Sequence, residues 1–321
     1  MINPRFRLVL GGLFLIALPL AAGVQSAINR SRHTVDTSST EPRKAEVPTI
    51  PANLGVKRVL LIILENGDPS AAESGHDMKF LPFLAKSGTE LKQYYAVAHP
   101  SQPNYIALIS GRIDDVKHGD DMVVLNRPHL GQALGGDRWK VYAEDYPAFP
   151  DACNLDQKAL DPLGYARRHV PFLSFCDVIV SDCHQIVNET ARLKTLKADI
   201  EHNTFPDFAL LIPNLHHDGH FPSDMGDADE WLQANLKPLL TNNAAFTKDL
   251  LVILTFDEDD HTDASHPNRV FTVLWGDHVL HRTDDNDVYD HYDLLATIEA
   301  VLNVTSPPLP PGSRPIGGIW K

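Results

Sequence analysis

The chain has 321 residues, of which 43% are hydrophobic and 22% charged, ordinary values for a globular protein with room for one large domain or two small ones. Its 42 acidic side chains outnumber 28 basic ones, and the formal net charge of −14 argues against nucleic acid as a partner and against a polybasic membrane-binding surface. Any anion bound here must find positive potential locally, from a metal ion, helix N-termini or histidines.

Arg5 and Arg7 precede an apolar run from Leu8 to Ala22, and small residues follow up to Ala27. The pattern predicts a secretory signal peptide over residues 1–27, with an uncleaved N-terminal anchor as the alternative because the run approaches the length of a membrane-spanning helix. Either way the rest of the chain is expected to be exported, secreted or periplasmic, with membrane contact only through such an anchor. Residues 28–55 are polar and rich in Ser, Thr and Pro, and read as a flexible linker; residues 56–321 are left for the folded domain. An oxidising compartment permits a disulfide among Cys153, Cys176 and Cys183. The sequence does not fix the pairing; Cys153 with Cys183 is the pair expected. No C-x-x-C spacing is present, so a structural zinc cage is not expected.

Lys57–Leu64 (KRVLLIIL) has the continuous apolar character of a strand buried on both faces. A helix follows over residues 78–87, then a strand from Leu91 to Val97, then a helix from Ser101 closed by Gly111. Trp139–Ala143 reads as a short strand. Residues 145–185, rich in Pro, Asp and aromatics, read as a long, partly irregular insertion. Helix is predicted over 186–201, strand over Phe208–Ile212, and helix over 227–240. Leu250–Phe256 (LLVILTF) is the strongest strand, Val270–Trp275 another, and His291–Leu302 a closing helix. Strands alternating with helices predict an α/β fold with a mostly parallel central sheet and helices on both faces.

In such sheets ligands bind beyond the carboxyl ends of the strands. Three buried strands here run straight into polar residues: Glu65-Asn66, Asn214 with Asp218 and His220, and Asp257-Glu258. Carboxylates from Glu65, Asp257 and Glu258 sharing one site would repel until one took up a proton, and a divalent cation removes that conflict. With Asn66 and the Ser101 oxygen added, the donors suit a hard cation, Ca²⁺ or Mg²⁺ before Mn²⁺ or Zn²⁺. The plainer alternative is that Asp257–Asp260 is a solvated acidic turn.

Ser101 lies in His99-Pro100-Ser101-Gln102-Pro103-Asn104-Tyr105, at a helix start where free backbone N–H groups and the helix dipole favour a phosphate or an oxyanion. It reads as a nucleophile toward a phosphoester, with simple helix capping as the alternative. Asn214, Asp218, His220 and His291 form a second group that would grip phosphate oxygens; Asp218, His220 and His291 would alternatively hold a second metal ion. His220 or His291 is expected to protonate the leaving group, and water to hydrolyse the phosphoserine. His216 and His217 are equally well read as exposed turn residues. His33, His76, His118, His129, His202, His278 and His281 have no motif context and are expected at the surface.

Six segments together carry a resemblance: Glu65-Asn66, HPSQPNY (99–105), YARRHVPF (165–172), PNLHHDGH (213–220), TFDEDD (255–260) and DHYDLLATIE (290–299). In this order they resemble the phosphoesterase family of bacterial and fungal secreted acid phosphatases and non-specific phospholipases C, over about Lys57 to Trp320. The resemblance implies an alkaline-phosphatase-like three-layer sandwich. It puts the metal role on Glu65, Asn66, Asp257 and Glu258, the nucleophile role on Ser101, and phosphate contact on His220 and His291. Arg168 and His169 are implied to lie near the substrate. The expected partner is a small phosphorylated substrate or a phospholipid headgroup, phosphoinositides included. A phosphomonoesterase is the leading reading and a phospholipase C-type phosphodiesterase its rival. A non-catalytic exported binding protein on the same fold would lack the nucleophile or the ligands, and all are present. Two departures stand out: Gly67-Asp68 where the family commonly has Arg-Ser, and His217-Asp218 where relatives often have Asn-Asp.

Overall fold

The computed structural model describes residues 50–321, apart from 68, 75–77, 114, 117–120, 148–152, 154–163, 221–224, 262–265, 285–286 and 306–307. The expected signal peptide or anchor and most of the expected linker lie outside the described residues. Ile50 and Leu54, at the linker's end, pack on the core.

The described strands are β1 (Arg58–Leu64), β2 (Thr89–Leu91), β3 (Tyr94–Tyr95), β4 (Trp139–Glu144), β5 (Ile186–Glu189), β6 (Phe208–Ile212), β7 (Leu250–Phe256), β8 (Val273–Trp275), β9 (Arg282–Asp284) and β10 (Tyr289–Asp290). Eight of them form one sheet in the order β5-β4-β6-β1-β7-β8-β2-β9, and β3 pairs with β10 apart from it. Every pairing in the large sheet is parallel except the two that β8 makes. The mostly parallel sheet follows from the sequence because β6 and β7 are buried along their whole length and β1 at all but its first residue. Such strands must be covered on both faces, and each buried Leu or Ile contributes about 1.5–3 kcal/mol.

The helices are α1 (Pro69–Ser74), α2 (Phe80–Ser87), α3 (Ser101–Ser110), α4 (Leu130–Leu134), α5 (Lys194–His202), α6 (Met225–Asn235), α7 (Lys237–Thr241), α8 (Ala244–Thr247) and α9 (His291–Leu302). α3 packs on α9, and α9 on β1; α2, α6 and α7 form a second contacting set. All ten residues of α3 are buried. Gly111, at φ +64°, ends it with its N–H on the Ala107 carbonyl.

The structure corrects several expectations. Residues 186–201 are not one helix: Ile186–Glu189 add an edge strand beside β4, and α5 starts only at Lys194. The buried Glu189 carboxylate accepts the N–H groups of Thr190, Thr195 and Leu196, so it caps α5 from the preceding strand. The expected strand over 91–97 is two short pieces, β2 in the large sheet and β3 paired with β10. The helix over 227–240 is broken into α6 and α7, with Pro238 in the first turn of the second. His129 is not at the surface: it is 1% exposed, accepts the Gly131 N–H and lies 3.0 Å from Asp177. Cys153 and Cys183 are bonded, and Cys176 is free and exposed.

Candidate active site

β1 and β7 are neighbours, and their register pairs Leu64 with Phe256. Glu65 and Asp257 therefore leave the sheet side by side, and the Asp257 N–H still donates to the Leu64 carbonyl. Asn66 turns the chain in the left-handed region at φ +48°, a conformation Asn tolerates better than most residues. Its backbone N–H donates to Asp257 Oδ1 at 3.2 Å. Gly67 follows against the Phe256 ring, where a Cβ would come within 2.2 Å of Cδ1. A side chain at 67 would require that ring to move; Asp68 lies outside the described residues.

Ser101 is the first residue of α3, and no side chain caps that helix. The hydroxyl donates instead to Glu258 Oε1 at 3.0 Å, so the capping alternative does not describe its contact. The other Glu258 oxygen meets His99 Nδ1, and His99 Nε2 lies 3.8 Å from Asp259. Asn104 fixes the loop before the helix by accepting the N–H groups of Val97 and Ala98. Glu65, Asn66, Asp257, Glu258 and Ser101 are thus linked by contacts at the carboxyl ends of two adjacent strands, with Glu65 and Asp257 fully buried.

Burial, together with the charges of Glu65 and Glu258, pushes the Asp257 carboxyl well above the usual range. Its Oδ2 is buried without a hydrogen-bond partner. Hard oxygen donors, two of them (Glu65 Oε1 and Asp257 Oδ2) without a hydrogen bond, in a site with more negative charge than it can hold are what a divalent cation satisfies. The residues present therefore fit a bound metal ion. Among the described residues, the group that offers one ligand atom each within 4.8 Å of one another is Glu65, His169 and Asp218, a buried set that could hold an ion; Asp257 and Glu258 do not complete such a group.

The second cluster is only partly as expected. His220 meets Glu65 Oε2 through Nδ1 and lies 3.2 Å from the Asn66 amide. Asp218 is 1% exposed; its carbonyl accepts the Glu65 N–H and its Oδ1 the His220 N–H. His169 is also 1% exposed, between Glu65 and Asp218. Burial opposes its charge, but those two carboxylates prevail and raise it to about 9. Burial likewise opposes charge on Glu65, yet His169 and His220 hold it well below the usual range. Arg168 is half-buried, and its charge is felt at Tyr105. Asn214 turns the other way: its N–H donates to Glu144 Oε2 and its amide to Asp145. His216 is exposed, whereas His217 sits 2.9 Å from both Glu144 oxygens and stacks on Trp231.

His291 is fully buried at the first turn of α9, with Nδ1 2.9 Å from the Tyr94 hydroxyl and Nε2 2.7 Å from the Asp257 carbonyl. The carbonyl accepts, so Nε2 carries the hydrogen and Nδ1 takes the tyrosine's. Burial lowers the ring to about 4, so it is neutral at neutral pH. Both nitrogens are occupied, and the ring holds the Asp257 backbone instead of facing a substrate. His99, Tyr94, Tyr105 and Glu144 were not picked out from the sequence. His99 and Tyr105 stood inside the Ser101 motif, and that proximity was the available signal. Tyr94 and Glu144 lie in strands and gave none.

The chain's residues 74–305 match the phosphoesterase family model. A probable acid phosphatase of Kluyveromyces lactis is 30% identical over 91% of this chain and 70% of its own length. A phosphatidylinositol-3-phosphatase of Mycobacterium tuberculosis is 29% identical over 82% of each chain. Across the fungal acid phosphatases it matches, this chain spans 54% to 70% of their length. The fold aligns with a Vibrio parahaemolyticus protein of the alkaline phosphatase superfamily at a TM-score of 0.55 and 13% identity, over 81% of this chain and 69% of that one. A phosphoric ester hydrolase on an alkaline-phosphatase-like fold is the class these matches define. The chain belongs to the phosphoesterase family.

Proposed function

We propose that this chain is an exported, divalent-metal-dependent acid phosphatase that hydrolyses phosphate monoesters through a phosphoserine. The observation that supports it most is the Ser101 hydroxyl donating to Glu258 at the start of a buried helix, Glu258 being next in the chain to the buried Asp257 that accepts the Asn66 N–H. Glu65, Asn66, Asp257 and Glu258 would hold the ion; when bound, it lowers the pKa of the serine hydroxyl and polarises the phosphoryl group.

The protein's own part follows from its contacts. Glu258 Oε1 receives the hydroxyl's hydrogen and orients the oxygen for in-line attack. Backbone N–H groups at the start of α3 bind phosphoryl oxygens as negative charge builds. Oxygen of Ser101 bonds to phosphorus as the bond to the leaving alkoxide breaks, and His220 gives that alkoxide a proton. Water then cleaves the phosphoserine and releases phosphate. The Cys153–Cys183 bond supports export into an oxidising compartment. Phosphoinositides are candidate substrates, an expectation of the sequence resemblance that the mycobacterial phosphatidylinositol-3-phosphatase supports.

The test is phosphate release from p-nitrophenyl phosphate, phosphatidylinositol 3-phosphate and phosphatidylcholine. Turnover of the first two and not the third is expected, lost on EDTA treatment and restored by one cation of a Ca²⁺, Mg²⁺, Mn²⁺ and Zn²⁺ panel. Ser101→Ala is expected to lower kcat by about 10⁴-fold or more with an unchanged circular dichroism spectrum. Normal turnover by the alanine variant, or by the demetallated protein, overturns the reading. Diester cleavage without monoester cleavage replaces it with the phospholipase C type.

A further inference from the structure

The two oxygens of Glu65 face different neighbours. Oε2 lies on the side of His220 and the Asn66 amide, where the Asn66 N–H meets Asp257. Oε1 lies 2.9 Å from His169 Nε2, and the other ring nitrogen of His169 is 3.4 Å from Asp218 Oδ2. The imidazole lies flat on the Tyr105 ring, with centroids 4.9 Å apart and planes 7° apart. Tyr105 is four residues beyond Ser101 on α3, one turn along the same face. Asp218 is tied back in turn, since its carbonyl accepts the Glu65 N–H at 2.8 Å.

We propose that His169 is a positioning residue: pinned between Asp218 and the Tyr105 ring, it fixes the rotation of the Glu65 carboxylate at the cation site. It does not touch the substrate. This rests on the metal-dependent reading above and deepens it. A ring 1% exposed, flat on Tyr105 and with a carboxylate oxygen 2.9 Å from one nitrogen and 3.4 Å from the other, leaves no opening for a phosphate oxygen, although Glu65 Oε1, His169 Nε2 and Asp218 Oδ2 each stand without a hydrogen bond. An unheld glutamate turns freely about its last bond, and the groups that hold a ligating carboxylate set the metal affinity. The same α3 turn that delivers the nucleophile also carries the platform under the clamp. The competing occupant is a second cation among Glu65, His169 and Asp218.

The test measures Mn²⁺ binding by calorimetry for the intact chain, His169→Gln and Asp218→Asn, beside p-nitrophenyl phosphate kinetics with Mn²⁺ titrated. Wild type is expected to bind one Mn²⁺ per chain. Both variants should bind it about 10–100-fold more weakly. At saturating Mn²⁺ the His169→Gln KM should stay within about threefold of wild type, because uniform substrate binding is untouched. Unchanged Mn²⁺ affinity in His169→Gln overturns the clamp. So does a KM raised about tenfold at unchanged Mn²⁺ affinity, the mark of a phosphate contact. Two Mn²⁺ per wild-type chain, one of them lost in His169→Gln, replaces the clamp with a second metal centre. Should His169→Gln fail to fold, Asp218→Asn, which keeps size and shape, decides by the same Mn²⁺ criterion. A wild type that binds Mn²⁺ and loses it in the variants, yet releases no phosphate, leaves the clamp standing and sinks the phosphatase reading.

Discussion

His291 separates a residue's motif from its task. Its place in DHYDLLATIE and at a helix start invited the role of leaving-group acid. The ring is instead neutral, fully buried and bonded at both nitrogens, to Tyr94 and to the Asp257 carbonyl. His291→Ala leaves two buried polar partners unsatisfied, each worth about 1–3 kcal/mol. A lower melting temperature and a lower kcat are expected. The loss should be equal on p-nitrophenyl phosphate and on an alkyl phosphate such as glycerol phosphate. A loss much larger on the alkyl ester, whose leaving group needs the proton more, would return His291 to acid catalysis. The Ser101 motif was the easier reading, because its helix start, its serine and its loop anchor Asn104 are contiguous in sequence.

At the scale of elements, the long apolar runs were legible and the short pieces were not. β1, β6 and β7 are buried strands whose composition alone excludes an exposed or amphipathic element. Their carboxyl ends delivered Glu65 and Asp257 to one place because the register is parallel and unshifted. Residues 186–201 misled because α5 and its lead-in share a helical apolar spacing, while Ile186 and Val187 owe their strand to pairing with β4. Pairing across distant sequence is invisible to local pattern. For the same reason Glu144, at the far end of β4, and its partner His217 had no local signature. The start of α9 was readable and is testable. Asp290 accepts the Tyr292 and Asp293 N–H groups, and Asp293 returns a bond to the Asp290 N–H, a reciprocal cap. Asp290→Ala should cost about 1 kcal/mol in urea unfolding. Because this turn carries His291, kcat should fall with it.

At the scale of the molecule, the Cys153–Cys183 bond ties Cys153, after β4, to the turn before β5 and closes a loop of 30 residues. Loop-closure entropy for that length gives about 3–4 kcal/mol of stabilisation. The double variant Cys153→Ser/Cys183→Ser should therefore lose stability by that order in denaturant titration, and Cys176→Ser should not. Equal midpoints for wild type and double variant would mean that packing around Tyr146, whose hydroxyl accepts the Cys153 N–H, holds this region without the cross-link.

The glycine after Asn66 has an evolutionary consequence. With its α-carbon flush against the Phe256 ring, position 67 has handed its volume to a residue nearly two hundred places downstream. A homologue with a larger residue at that point needs somewhere to put it, so its counterpart of Phe256 should be smaller or rotated away. Across a deep alignment the two columns are expected to trade bulk, one shrinking as the other grows, and ancestral reconstructions should show them changing on the same branches.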